Sequence, residues 1–145
     1  MESKARFGAG ETPIAYLSGD SEAAILFAEG SIPYQFSICS LSRYTGDQKH
    51  AILQAHHSHT GAEWFHGHSN GNAGVVYYGL YKTLPKSSLP VHDWVVVCSQ
   101  NKKIGVTLLN GMEAVLAQNP GQAGGDGELQ LVVNSMMPGT QKSDW

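Results

Sequence analysis

The sequence predicts an all-β fold, a two-sheet antiparallel sandwich or jelly roll. Three observations carry that prediction. Apolar and aromatic residues come in short runs, such as Trp64-Phe65-His66-Gly67-His68, Ala73-Gly74-Val75-Val76-Tyr77-Tyr78 and Trp94-Val95-Val96-Val97-Cys98. These runs end at Gly, Asn or Pro, the residues that turn a chain. No heptad, no repeat and no long amphipathic helix interrupts the pattern.

Taken in order, residues 1–20 are a polar, Gly-rich leading segment with a short strand at Ile14–Leu17. Residues 21–29, Ser-Glu-Ala-Ala-Ile-Leu-Phe-Ala-Glu, favour a helix by propensity, stopped by Gly30 and Pro33. Sheet context would make the same run a strand. Tyr34–Tyr44 is a strong strand. It places Phe36 and Ile38 on one face and Cys39 and Leu41 on the other, the pattern of a central strand covered on both sides. Thr45–His50 is a polar turn, Ala51–Gln54 a short strand and His56–Gly61 a polar loop.

Trp64–His68 and Gly74–Tyr81 are strands joined across Asn70-Gly71-Asn72, and Leu84–Pro90 is a loop. Trp94–Ser99 reads as a buried strand because its apolar run is continuous, with Trp94 in the core. Ile104–Leu109 and Met112–Ala117 form a hairpin around Asn110-Gly111, the pair that favours a type I′ turn. After the Gly-rich loop Gln118–Gly127, the strand Glu128–Val133 sets Leu129, Leu131 and Val133 on one face.

The 145 residues suit one domain with a sizeable core. A net charge of −3 gives no basic footprint for nucleic acid and no polybasic membrane patch. No apolar run has the length of a membrane-spanning helix, and the N-terminal residues lack the apolar core of a signal peptide. The two cysteines, Cys39 and Cys98, fall inside expected strands, so buried thiols are the default. A disulfide between them requires neighbouring strands with matched Cβ positions.

Several pieces come in a characteristic order: Gly30-Ser31-Ile32-Pro33, Phe36-Ser37-Ile38-Cys39-Ser40, Ser42-Arg43-Tyr44-Thr45-Gly46, Trp64-Phe65-His66-Gly67-His68, Asp93-Trp94-Val95-Val96-Val97-Cys98 and Ser143-Asp144-Trp145. Over roughly residues 25–145 the chain resembles laminin-G-like domains of the concanavalin A-like lectin/glucanase superfamily. That resemblance implies a jelly roll of two antiparallel sheets. It implies a non-catalytic binding module for glycan or protein, with calcium at one rim as the expected cofactor. In the family a further strand follows the Ser-Asp-Trp step, whereas this sequence stops at Trp145. The expectation is therefore either a fragment or a sheet edge covered by a partner in a larger assembly.

The residues themselves offer candidate sites. Trp64, His66, His68, Asn70, Asn72 and Tyr78 would make a lectin-like surface, an exposed ring stacking on a sugar while the polar groups bind hydroxyls. Trp64 is equally readable as core. Among the seven histidines, His66 and His68 share a strand face, and with His57 or His59 they would form a three-His site for zinc or copper. Satisfied polar residues on a sheet face are the plainer reading. Asp47, Asp93, Asp126 and Asp144 lie in or beside loops, where calcium ligands or ordinary turn residues are both found.

A glucanase needs paired carboxylates on an inner strand, and the one acidic alternation, Asp126-Gly127-Glu128, sits at the end of a loop. No nucleophile-elbow or phosphate-loop motif occurs. The sequence thus points to binding rather than catalysis. The alternative is a structural or accessory subunit of a larger assembly that recognises protein.

Overall fold

A computed structural model describes residues 2–3, 14–56, 64–78, 81–82, 89–101, 106–114, 129–134 and 142–145. The fold is all-β. Its strands are β1 (Glu2–Ser3), β2 (Ile14–Ala15), β3 (Ile25–Leu26), β4 (Ser37–Ser42), β5 (Leu53–His56) and β6 (Trp64–Ser69). They are followed by β7 (Asn72–Tyr78), β8 (Tyr81–Lys82), β9 (Val95–Gln100), β10 (Thr107–Leu109), β11 (Met112–Glu113) and β12 (Gln130–Val133). No helix occurs among the described residues, and none there is long and apolar enough to cross a membrane.

Two antiparallel sheets make the sandwich. Among the described residues, one has six strands in the order β3-β12-β5-β6-β7-β8, and the other has four in the order β11-β10-β9-β4. The short β1–β2 pair stands apart from both. The alternation of side chains along β9 shows how the layers meet: Val95, Val97 and Ser99 are buried, while Val96, Cys98 and Gln100 face outward. Inward residues of both sheets close one core, in which Val95, Val97 and Leu109 meet Trp64, Val76, Tyr78, Ile32 and Leu129. A smaller cluster of Tyr44, Ile52 and Val133 lies at the other end, flanked by Ile25, Leu53, Val91 and Trp145.

Turn chemistry fixes both hairpin registers. Asn110 and Gly111 have φ of 48° and 83°, the double left-handed pair of a type I′ turn. Asn70 and Gly71 repeat it at 50° and 73°, joining β6 to β7. Near that turn β7 carries an extra residue, Gly74, so that Gly67 faces Val75 while His68 faces Ala73. The bulge returns Ala73 to the inner face beside Val76 and Tyr78.

The Ser143–Trp145 end is clamped. Trp145 exchanges backbone hydrogen bonds with Gly19 at 2.8 and 2.9 Å. The carboxylate of Asp144 accepts from the backbone N–H of Ser21 (3.0 Å) and of Gln48 (3.1 Å). Buried Asn134 accepts from Ser143 N–H at 2.7 Å and donates to the carbonyls of Ser21 and Ala23.

Four expectations are corrected. Residues 21–29 are not helical: Ile25 and Leu26 pair with Val133 and Val132 of β12, and an isolated run of that length cannot sustain a helix against a sheet partner. The strand through Cys39 is an edge strand among the described residues, not a central one, and its Cys39/Leu41 face is exposed. Trp94 is half-buried and lies outside both core clusters, one residue before β9 begins. The cysteines are joined rather than free. Cys39 and Cys98 face each other directly across β4 and β9, with Cα atoms 4.0 Å apart, and form a disulfide. The loop Gln118–Gly127 with Asp126 and Glu128, and the loop histidines His57 and His59, lie outside the described residues.

Candidate functional site

The residues expected to form a recognition surface divide into two groups. Trp64, His66, His68 and Tyr78 are all buried, with exposures of 3%, 0%, 0% and 0%. An exposed platform made of these four is therefore ruled out: strand alternation sends Trp64, His66 and His68 inward together, and Tyr78 pairs with Trp64 on the same face. Their rings stack inside the sandwich, Trp64 on Tyr78 with centroids 5.0 Å apart and Phe36 edge-on to Tyr78 at 5.0 Å. Asn70 and Asn72 are exposed at the hairpin tip, where the Asn72 amide donates to the Asn70 carbonyl at 2.9 Å.

The two inner histidines are held as neutral rings. His66 Nε2–H donates to the Val97 carbonyl of the facing sheet at 3.0 Å, which leaves Nδ1 to accept from the Tyr78 hydroxyl at 2.6 Å. Both ring nitrogens are thereby used, and His66 is committed to joining the layers rather than to a metal. His68 Nδ1 lies 3.0 Å from the Ser42 hydroxyl, and its buried Nε2 has no partner among the described residues. Burial lowers the pKa of each to about 4, because the charged ring is denied water. Desolvation likewise raises the Tyr44 and Tyr78 phenols well above their ordinary range.

Gly67 makes the close approach of the layers possible. Its φ of 94° suits glycine, and a Cβ there would sit 3.1 Å from the hydroxyls of both Ser40 and Ser42 on β4.

The described acidic candidates, Asp47, Asp93 and Asp144, form no shared ligand set. Asp47 is exposed in the loop after β4, and Asp93 is half-buried in the turn closed by its N–H to the Pro90 carbonyl. Asp144 spends both carboxylate oxygens on backbone N–H groups. Among the described residues no three His, Cys, Asp or Glu side chains come together as metal ligands.

A different constellation sits on the outer face. The β4–β9 register pairs Ser42 with Val95, and one step further places Arg43 opposite Trp94. Both fall on the outward side with Leu41, Val96, Cys39 and Cys98. The Arg43 guanidinium carbon lies 4.9 Å from the Trp94 ring centroid and 5.6 Å from that of Tyr16. Tyr16 and Trp94 meet edge to face at 5.2 Å. All three side chains are half-buried. Arg43 Nε and Trp94 Nε1 have no acceptor among the described residues.

Below this rim the outer face is apolar, with Leu41 50%, Val96 39% and Leu108 37% exposed around the disulfide. The sequence held a signal for the rim, since residues whose numbers sum with a known cross-strand pair must meet. That signal becomes readable only once the pairing of the two strands is known.

Comparisons with protein-family models, curated proteins and solved structures find no match to this chain.

Proposed function

We propose that this chain is a non-catalytic recognition module, a concanavalin A-like jelly roll of laminin-G-like type, and that it binds a glycan at the rim formed by Tyr16, Arg43 and Trp94. One observation carries the reading: two half-exposed aromatic rings set edge to face, with a guanidinium held over both. Aromatic faces stack on the apolar side of a sugar ring. The guanidinium has up to four Nη–H donors for hydroxyl oxygens, its Nε being buried, and carries no acceptor of its own to compete. Asp93 directly precedes Trp94 in the chain, and calcium is the cofactor to include in the assay.

The test is a screen of neutral and charged oligosaccharides, with and without calcium, against the native chain and Trp94→Ala. Binding that drops at least tenfold in the variant, in the range of about 1.4 kcal/mol, supports the reading. Binding unchanged by Trp94→Ala, or no binding at all, removes it.

A second reading has its own observation. The apolar outer face around Leu41, Val96 and Leu108 adjoins β4, an edge strand among the described residues, a surface suited to protein rather than sugar. On that reading the chain is an accessory subunit of a larger assembly. Leu41→Glu would then abolish partner association while leaving glycan binding untouched.

A further inference from the structure

The Cys39–Cys98 disulfide occupies the outer face of the four-stranded sheet, with Cys39 exposed and Cys98 half-buried. The two residues are directly opposed in register, so the bond links β9 to β4. Thiol–disulfide exchange is an in-line displacement, so the attacked sulfur must be reachable from the side away from its partner. The two sulfurs differ in their surroundings. Cys39 is the exposed partner and lies on β4, the edge strand among the described residues. Cys98 is half-buried and lies on β9, with Leu108 of β10 directly opposite it on the same outer face.

We infer that this disulfide is a thiol-exchange site entered at Cys39, with Cys98 as the leaving group, and that its reduction releases the edge strand β4. The co-reactant is a small thiol or dithiol. Its thiolate attacks Cys39 Sγ and forms a mixed disulfide; the Cys39–Cys98 bond breaks, and its electron pair departs on Cys98 Sγ, which takes a proton from water. A second thiolate attacks the reductant's own sulfur in that mixed disulfide and expels Cys39 as thiolate, which is protonated in turn. Two reductant thiols become one disulfide, and the protein disulfide becomes two thiols.

The consequence follows from where β4 sits. Among the described residues it pairs only with β9, and its inward residues Ile38, Ser40 and Ser42 are half-buried. Without the cross-link, its backbone hydrogen bonds to β9, the packing of Ile38 on the core and the Ser42–His68 contact hold it. The six-stranded sheet contains neither cysteine and keeps its packing.

The experiment exposes the native chain to glutathione without denaturant, quenches in acid, alkylates free thiols and maps adducts by mass spectrometry. The expected result is glutathione on Cys39 with Cys98 alkylated. Adduct on Cys98 at equal or greater yield, or no adduct until denaturant is added, overturns the proposal. Hydrogen exchange of the fully reduced chain supplies the second readout. Those amides of Ser37–Ser42 that donate to β9 should exchange at least about tenfold faster while those of β6 and β7 hold, as expected of local opening. Unchanged protection in β4 refutes the release.

Leu108→Ala checks the directional argument independently of stability. Removing the side chain opposite Cys98 should move part of the adduct to Cys98, and an unaltered distribution contradicts the assigned cause.

Discussion

The β6–β7 hairpin and the outer face of the β4–β9–β10 strands invert each other. The hairpin carries polar and ionisable side chains, His66, His68 and the hydroxyl of Tyr78, and buries them completely. The outer face carries Leu41, Val96 and Leu108, and leaves them in contact with water. Residue type would have assigned these the other way round. Strand parity decides instead: each residue goes where its position in the register sends it, and chemistry then adapts to the place. In the hairpin it adapts through hydrogen bonds across the layers, Tyr78 to His66 to the Val97 carbonyl. On the outer face it adapts through a cross-link and an aromatic–guanidinium cap.

The largest effect that separates the two regions is acid. His66 and His68 have pKa values lowered to about 4 by burial, against an ordinary 6.5. Between those values the unfolded chain binds more protons than the folded one. Stability is therefore complete above pH 6.5, falls as pH drops toward 4 and is flat with respect to these groups below it. Each histidine contributes on the order of 3 kcal/mol over that window. Denaturant midpoints measured from pH 7 to pH 4 should fall steeply, and His66→Phe should flatten part of the slope. A pH-independent midpoint would show that the rings are not buried as described.

Next comes Trp64→Ala, which removes a ring stacked on Tyr78 and should cost about 3–5 kcal/mol by equilibrium unfolding. Trp94→Ala on the outer face should cost far less in the same assay, since its ring lies outside both core clusters. Equal costs for the two tryptophans would collapse the distinction between the regions. Smaller again is Gly67→Ala, in which a Cβ meets Ser40 and Ser42 and the backbone holds a φ of 94°. The expected loss is about 1–3 kcal/mol, read as a shift in midpoint with unchanged m-value. Smallest is Leu41→Thr, which should alter stability by no more than about 0.5 kcal/mol because the side chain is half in water already.

What the sequence made legible follows the same division. Asn70-Gly71 and Asn110-Gly111 announce their hairpins because two left-handed positions in succession need those residues. Leu129, Leu131 and Val133 announce the inner face of β12 by period alone, and Leu129 and Val133 are indeed buried. Residues 21–29 mislead because helix propensity is local, whereas the pairing of Ile25 with Val133 spans most of the chain. Trp94 misleads because a continuous apolar run hides which residue lies beyond the strand end.

The disulfide and the Tyr16–Arg43–Trp94 rim depend on one fact absent from any single run of residues, namely that β4 lies antiparallel beside β9. Once that register is set, Cys39 with Cys98 and Arg43 with Trp94 follow by counting. His66 and His68 were recognisable as sharing a face, but not as facing the Val97 carbonyl and the Ser42 hydroxyl of the opposite layer.

The most direct test of where recognition resides is a residue-resolved NMR titration with an oligosaccharide that the native chain binds. Shift changes confined to Tyr16, Arg43, Trp94 and their neighbours, absent in Trp94→Ala, are the predicted result. Changes centred instead on the Asn70–Asn72 tip, or persisting undiminished in the variant, would contradict the placement of the site on the outer rim.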